Sequence, residues 1–328
     1  MEIIKIESKS LELRIDKPGI YEMTKEQYHA DPCITPSLSR GLIVTMLDKS
    51  PLHMATEHPR LSVTGVNDDE GDDEGQTVDP KESTAMLIGD YVDHLLMGGE
   101  KRFAVLPFDK WTTKEAKAAR DAAKAMGETP IKQKHHDTAA AMIKAFRERF
   151  TLERFPEMQE GFPSGGFQRV ILWEEDGVWM RAMLDALGKH IWDYKSTAAD
   201  AKPDNWIKNN LFGKSLEMQA AFYARGYKAV TGESKHFLFA VQEQKKPFDS
   251  YPVVVDQVDI ADANAKITWA RGVFKSGLET GHWDGYLTRI ATASAPPWVR
   301  TQWEDFMEQQ KTLAKIKADE SVDLRAAG

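Results

Sequence analysis

Leu184-Asp185-Ala186-Leu187-Gly188-Lys189-His190-Ile191-Trp192-Asp193-Tyr194-Lys195 decides the reading of this chain. The apolar residues on either side of Gly188 alternate as they do in two strands of a β-hairpin. Along a strand, successive side chains point to opposite faces, so Asp193 and Lys195 share one face while Trp192 and Tyr194 take the other. If the connecting loop is three residues, Gly188 to His190, Asp185 lies opposite Asp193 on that face. A two-residue loop would put the two aspartates on opposite faces. Cross-strand neighbours have Cβ atoms roughly 4.5–5.5 Å apart. Two carboxylates at about 5 Å repel by about 3 kcal/mol at an effective dielectric near 20. A divalent, oxygen-seeking cation is the usual compensation for such a pair.

Around this hairpin the pattern is mixed. Segments 166–173, 178–187 and 191–196 read as a strand meander, with Asp176-Gly177 as its first turn. Segments 235–243 and 251–255 read as further strands. Helical spacing covers 83–98, 112–126, 133–150, 203–211, 215–230 and 259–279. Residues 1–18 alternate loosely and suggest a hairpin. Ser37 reads as the N-cap of a helix over Leu38–Leu47. The order predicts an α/β fold, a mixed sheet flanked by helices. The expected organisation is an N-terminal hairpin and helix over 1–65, an acidic mobile loop over 66–81, a core over 82–304, and a helical to disordered tail over 305–328.

Composition narrows the class. The chain has 328 residues, 41% of them hydrophobic, enough for a large core. Its single cysteine, Cys33, excludes an intramolecular disulfide, a multi-cysteine zinc site and an iron–sulfur cluster held by this chain alone. A reducing cytoplasmic setting is expected, with no membrane span and no signal-peptide pattern. The net charge is −8, but residues 67–79 alone carry seven acidic groups and no basic one. Residues 101–134 carry nine Lys/Arg against four Asp/Glu. Lys110, Lys114 and Lys117, at helical spacing, read as contacts to a phosphate backbone. Ser37, Ser39 and Arg40 at a helix start read as a grip on a terminal 5′-phosphate, since helix N-termini attract anions.

Three further features join the hairpin. Gly89-Asp90-Tyr91-Val92-Asp93-His94 places a histidine late in an amphipathic helix. Gln219 and Tyr223 share a face of a later helix at i and i+4. Glu174 and Glu175 end the strand before Asp185, and either is a possible outer carboxylate. In this order, Gly89 and His94, Asp185, Asp193-Tyr194-Lys195, and Gln219 with Tyr223 resemble the RecB-like branch of the PD-(D/E)xK nuclease superfamily. Over roughly residues 20–300 they resemble the C-terminal nuclease domain of exodeoxyribonuclease VIII (RecE).

The resemblance implies a restriction-endonuclease-like core. It implies Mg²⁺, with Mn²⁺ possible, held by Asp185, Asp193, the Tyr194 carbonyl and His94. Lys195 would act on the attacking water or on the developing charge, and Gln219 and Tyr223 would position the DNA or the lysine. The implied activity is that of a Mg²⁺-dependent exodeoxyribonuclease, running 5′→3′ on linear double-stranded DNA. It would leave 3′ single-stranded overhangs for a single-strand annealing protein in phage-type DNA recombination, as in a prophage, and the enzyme would be a homo-oligomer. The alternatives are a structure-selective or single-strand nuclease of the same fold, or a catalytically inactive DNA-binding module.

Overall fold

The computed structural model describes residues 3–62, 80–99, 102–286, 290 and 292–326. The acidic stretch 67–79 lies outside them. The chain divides into two units, Met1–Gly285 and Tyr286–Gly328. The second is built on one long helix, Pro297–Ala326, which begins eight residues before the expected tail. None of the described helices is long and apolar enough to cross a membrane.

The first unit is organised by an eight-stranded mixed sheet. Its strands are β1 (Ile3–Lys5), β2 (Gly19–Glu22), β3 (Ser37–Ser39), β6 (Phe167–Glu175), β7 (Val178–Leu187), β8 (Ile191–Thr197), β9 (Phe237–Glu243) and β10 (Ser250–Val254). The spatial order is β1-β2-β6-β7-β8-β9-β10, with β3 added to one end of β7. A separate two-stranded parallel sheet pairs β4 (Phe103–Leu106) with β5 (Thr129–Lys132), joined by helix α5 (Lys114–Ala125). The other helices are α1 (Lys25–His29), α2 (Arg40–Asp48), α3 (Pro51–Glu57), α4 (Pro80–Met97), α6 (Gln133–Arg149), α7 (Pro203–Trp206), α8 (Leu216–Thr231) and α9 (Gln257–Thr280).

The predicted meander is β6-β7-β8, antiparallel throughout. β8 and β9 are parallel, and α7 and α8 supply the crossover that a parallel pair requires. The interior strand β9 shows why both faces are covered. Phe237, Phe239 and Val241 enter a core shared with α2, α8 and α9. Leu238 and Ala240 enter a second core shared with α4 and α6. Each fully buried large side chain, such as Phe239, Phe222 or Trp192, contributes about 1.5–3 kcal/mol relative to its exposed state. At Gly226 helix α8 comes so close to β6 that an added Cβ would lie 2.6 Å from the Trp173 ring.

The N-terminal segment differs from the sequence reading. β1 pairs in parallel with β2, so residues 1–18 are not a hairpin. Ser37 is a strand residue, and the N-cap of α2 is Ser39, whose hydroxyl accepts the Leu42 N–H. The competing influence is tertiary. Ser37, Leu38 and Ser39 pair in parallel with Trp179, Met180 and Arg181 of β7. A buried ionic group pins that pairing. Asp31, fully buried, accepts the Ser37 N–H at 2.9 Å and the Ser37 hydroxyl at 2.6 Å. Arg181 lies 3.5 Å from Asp31 and donates to the Ser37 carbonyl, while His58 and Arg60 approach Asp31 at 3.4 and 3.5 Å.

Candidate active site at a strand fork

Strand β7 serves two partners along one edge. Its N-terminal half pairs with β3 and its C-terminal end with β8. The β7–β8 ladder therefore holds only Ala186–Trp192 and Leu187–Ile191 before the strands part. The connecting loop is Gly188-Lys189-His190, three residues long. Asp185 and Asp193 are the next residues past the ladder, one on each prong of the fork. By alternation they face the same way as Leu187 and Ile191.

The fork exposes backbone groups, and the site is built on them. Tyr194 has no β7 partner, and its N–H is taken at 3.0 Å by the Asp185 carboxylate. The N–H and C=O of one strand residue point to the same side. The Tyr194 carbonyl therefore opens into the fork beside Asp185. The Tyr194 side chain points the other way, its hydroxyl donating at 2.6 Å to Gln242 within the second core.

Asp193 is buried, with 1% of its surface exposed. Its Oδ1 accepts from Gln219 of α8, and its Oδ2 pairs with the Lys195 ammonium. Burial opposes a charge on Lys195, but Asp193 and Asp185 outweigh it and hold the ammonium above the ordinary lysine range. Burial and the neighbouring Asp193 push the Asp185 carboxyl well above its ordinary value. Tyr223, one turn beyond Gln219, rests its ring 5.9 Å from Phe237. Burial first, then the negative charges of Asp193 and Asp185 with Tyr28, keep its phenol protonated.

His94 packs among aromatic rings. Its ring packs 5.0 Å from Phe103 and stacks on Tyr91, both in the second core. Asp93 takes the place facing the site. Burial raises its carboxyl to about 7, opposed by Lys195 and reinforced by Asp193. Sequence reading missed Asp93, although a signal was present. Gly89 marks the line where α4 meets β8, because a Cβ there would lie 3.0 Å from the Ser196 hydroxyl. One turn on, the same helix face carries residue 93, not 94.

The remaining candidates are dispersed. Ser37 is fully buried and saturated by Asp31 and Arg181, so it cannot reach a ligand. Ser39 spends its hydroxyl capping α2. Arg40 donates through one nitrogen to the Lys214 and Ser215 carbonyls at 2.6 and 2.7 Å, tying α2 to the entry of α8. Asp193 and Tyr223 both act on its charge, which places it beside the fork. Lys110, Lys114 and Lys117 are exposed in and before α5, outside the fork. Glu175 is bound by the Trp173 indole, Arg225 and Arg271 at the opposite end of β7 from Asp185, and Glu174 is exposed there.

The donor set suits a small hard cation. Among the described residues no three or more His, Cys, Asp or Glu side chains form a metal-holding cluster. Mg²⁺ does not require one, since it commonly binds one or two carboxylates and completes its shell with water and substrate phosphate. Asp185, Asp193 and the Tyr194 carbonyl supply such a set, and the Asp193 Oδ2 already attracts a cation, the Lys195 ammonium.

The chain matches the model of a PDDEXK-like domain of unknown function (DUF3799) over residues 70–286. In fold it is similar to a crystal structure described as "Putative exonuclease" from Eubacterium rectale, at 16% identity and a TM-score of 0.49, covering 84% of this chain and 96% of that one. No curated protein matches it. The matched segment holds the whole fork, with Asp93, Asp185, Asp193, Lys195 and Gln219, and the chain belongs to the PDDEXK-like DUF3799 family.

Proposed function

We propose that the protein is a metal-dependent deoxyribonuclease that hydrolyses phosphodiester bonds at the β7–β8 fork. The observation that carries this reading is the meeting of Asp185 and Asp193 at the end of a ladder, with Lys195 on Asp193 and Gln219 fixing its other oxygen. Asp185, Asp193 and the Tyr194 carbonyl would hold Mg²⁺ or Mn²⁺. When bound, the ion supplies a Lewis acid for the phosphate and lowers the pKa of a bound water.

The chain's own groups do the positioning. Gln219 fixes the rotamer of Asp193, and Asp185 is oriented by the Tyr194 N–H. Lys195 is a cation beside the reacting phosphate, suited to stabilising charge that develops there. Asp93 adds negative charge behind the metal carboxylates and strengthens the site's attraction for a divalent ion. Arg40 and the Tyr223 hydroxyl are hydrogen-bond donors close to Asp193, suited to a neighbouring phosphate.

The finer reading is a 5′→3′ exonuclease on linear double-stranded DNA, leaving 3′ overhangs for a single-strand annealing protein, in a homo-oligomer. Its support is the resemblance of the motif order to the RecE nuclease domain. End-labelled linear duplex and covalently closed circular duplex, each incubated with Mg²⁺ and with EDTA, test it. Mg²⁺-dependent release of 5′ label from the linear substrate alone is expected. Cutting of the closed circle would replace the exonuclease by an endonuclease. Absence of cleavage with Mg²⁺, and with Mn²⁺ in its place, together with retained DNA binding, would leave a binding module. Asp193→Ala should abolish cleavage and spare binding.

A further inference from the structure

The crossover from β8 to α8 carries an aromatic ring to the surface. Between α7 and α8, Ile207–Phe212 forms a π-helix. Such i→i+5 turns are rare and recur mostly at functional sites. Here the turn brings Trp206 and Leu211, five residues apart, into the same buried core. Phe212, the next residue, is turned outward with 44% of its surface exposed. It meets no other aromatic ring among the described residues. The segment that bears it is held firmly. At Gly213 an added Cβ would run into the Asn209 carbonyl, and Ser215 takes a left-handed backbone with φ 50°, which non-glycine residues seldom adopt. Arg40 clasps the Lys214 and Ser215 carbonyls at 2.6 and 2.7 Å.

Charge and position show what would cover this ring. From 202 to 215, Lys202, Lys208 and Lys214 stand against Asp204 alone, which pairs with Lys202 at 4.0 Å. Lys208 and Lys214 are exposed, and neither pairs with a carboxylate among the described residues. Three residues of chain span at most about 11 Å, and the four from Ser215 to Gln219 rise about 6 Å along a helix. Phe212 therefore lies within about 17 Å of Gln219, which donates to Asp193. Arg40, the tether, lies beside Asp193, whose charge acts on it. An exposed ring and two unpaired ammonium groups, continuous with the fork, complement a polyanion that also presents flat apolar faces. A nucleic-acid strand has both. A base inside a duplex hides its faces in the stack, so the ring suits an unpaired one.

We propose that Phe212 stacks on an unpaired base of a DNA strand entering the fork, with Lys208 and Lys214 on the flanking phosphates. DNA as the ligand rests on the nuclease reading. The π-helix then acts as a platform. Trp206 and Leu211 anchor it in the core, and Phe212 is presented at a fixed reach from the catalytic carboxylates.

The test measures binding of a fluorescent oligothymidylate to the full chain carrying Asp193→Ala, and again to the chain with Asp193 intact in EDTA. Phe212→Ala should cost roughly 5- to 150-fold in affinity. Phe212→Leu should lose about as much, because it keeps an apolar side chain without a flat face, and Phe212→Trp should retain binding. All three should melt close to the parent, since the position is exposed. Lys208→Gln with Lys214→Gln should reduce the salt slope by about 1.4, two phosphates at roughly 0.7 each. Covalently closed circular duplex, which offers no unpaired base, should bind Phe212→Ala as it binds the parent. Unchanged single-strand affinity in Phe212→Ala, or an equal loss on closed duplex, would overturn the proposal. If the protein with Asp193 intact cuts no DNA while Phe212→Ala still loses strand affinity, the stacking contact stands and the nuclease reading falls. If it cuts DNA and Phe212→Ala binds the strand as the parent does, the contact alone falls.

Discussion

Replacing Asp31 separates the role of the buried ionic group from that of local geometry. Asp31 is fully buried and lies 3.5 Å from Arg181, itself only 4% exposed. Removing one partner of a buried pair leaves an uncompensated charge, which costs about 3–5 kcal/mol. Asp31→Asn keeps an oxygen for the Ser37 N–H and tolerates the left-handed backbone at this position, where φ is 62°. It therefore measures the lost charge. Asp31→Ala adds the cost of a left-handed alanine, about 1–2 kcal/mol. At roughly 2–4 °C per kcal/mol, Asp31→Asn should lower the melting temperature by about 6–20 °C, towards the low end for a unit of this size. Urea titration followed by tryptophan fluorescence gives the free energy.

The effect should reach the site. β3 occupies the edge of β7 that β8 would otherwise extend along, so loosening β3 lets the fork close. DNA cleavage by Asp31→Asn should fall well below its melting range, before global unfolding. A loss of stability under about 1 kcal/mol with unchanged cleavage would refute the argument that this group holds the fork open.

Three other outcomes follow from the geometry. Burial, together with Arg181 and Arg60 and against the pull of Asp31, lowers the His58 pKa to about 4. The unfolded chain, titrating near 6.5, then binds the extra proton between those values, so stability should fall as pH drops from about 6.5 to 4, by about 3 kcal/mol. His58→Gln should flatten that slope in pH-dependent urea titrations. Gly226→Ala forces a methyl group to 2.6 Å from the Trp173 ring and should destabilise by about 1–3 kcal/mol, read by thermal melting. Asp93→Asn should weaken Mg²⁺-dependent cleavage about 10- to 100-fold, mainly as a higher metal requirement, whereas His94→Asn should leave the metal titration curve nearly unmoved. The reverse ranking would return His94 to the site.

The legible part of this protein was local. The alternation on either side of Gly188 and the Asp176-Gly177 turn identify the meander, and the i, i+4 spacing of Gln219 and Tyr223 puts both on one face of α8. Long periodic helices such as α6 and α9 were readable for the same reason, because hydrophobic spacing is carried by neighbours in the chain. The short strands β3, β4 and β5 were not. Three or four residues carry too little periodicity to register, and β3 is a strand only because β7 is there to pair with it.

The face of α4 shows the same division. Both Asp93 and His94 lie in a helix that any reading of the sequence would draw, and histidine is the more obvious ligand. Which of them faces the fork depends on the angle at which α4 lies on β8, and the contact at Gly89 sets that angle.

The sequence by itself determined the element types of the central meander, the carboxylate–lysine strand, and the absence of any cysteine-based chemistry beyond one thiol. All of these follow from residue identity and short-range spacing. Only the tertiary structure decided that β7 is shared between β3 and β8, that Asp185 and Asp193 stand at the resulting fork, and that Asp93 rather than His94 looks into it. Those facts depend on pairings between residues as far apart as Ser37 and Trp179, and on a buried charge cluster that no local pattern specifies.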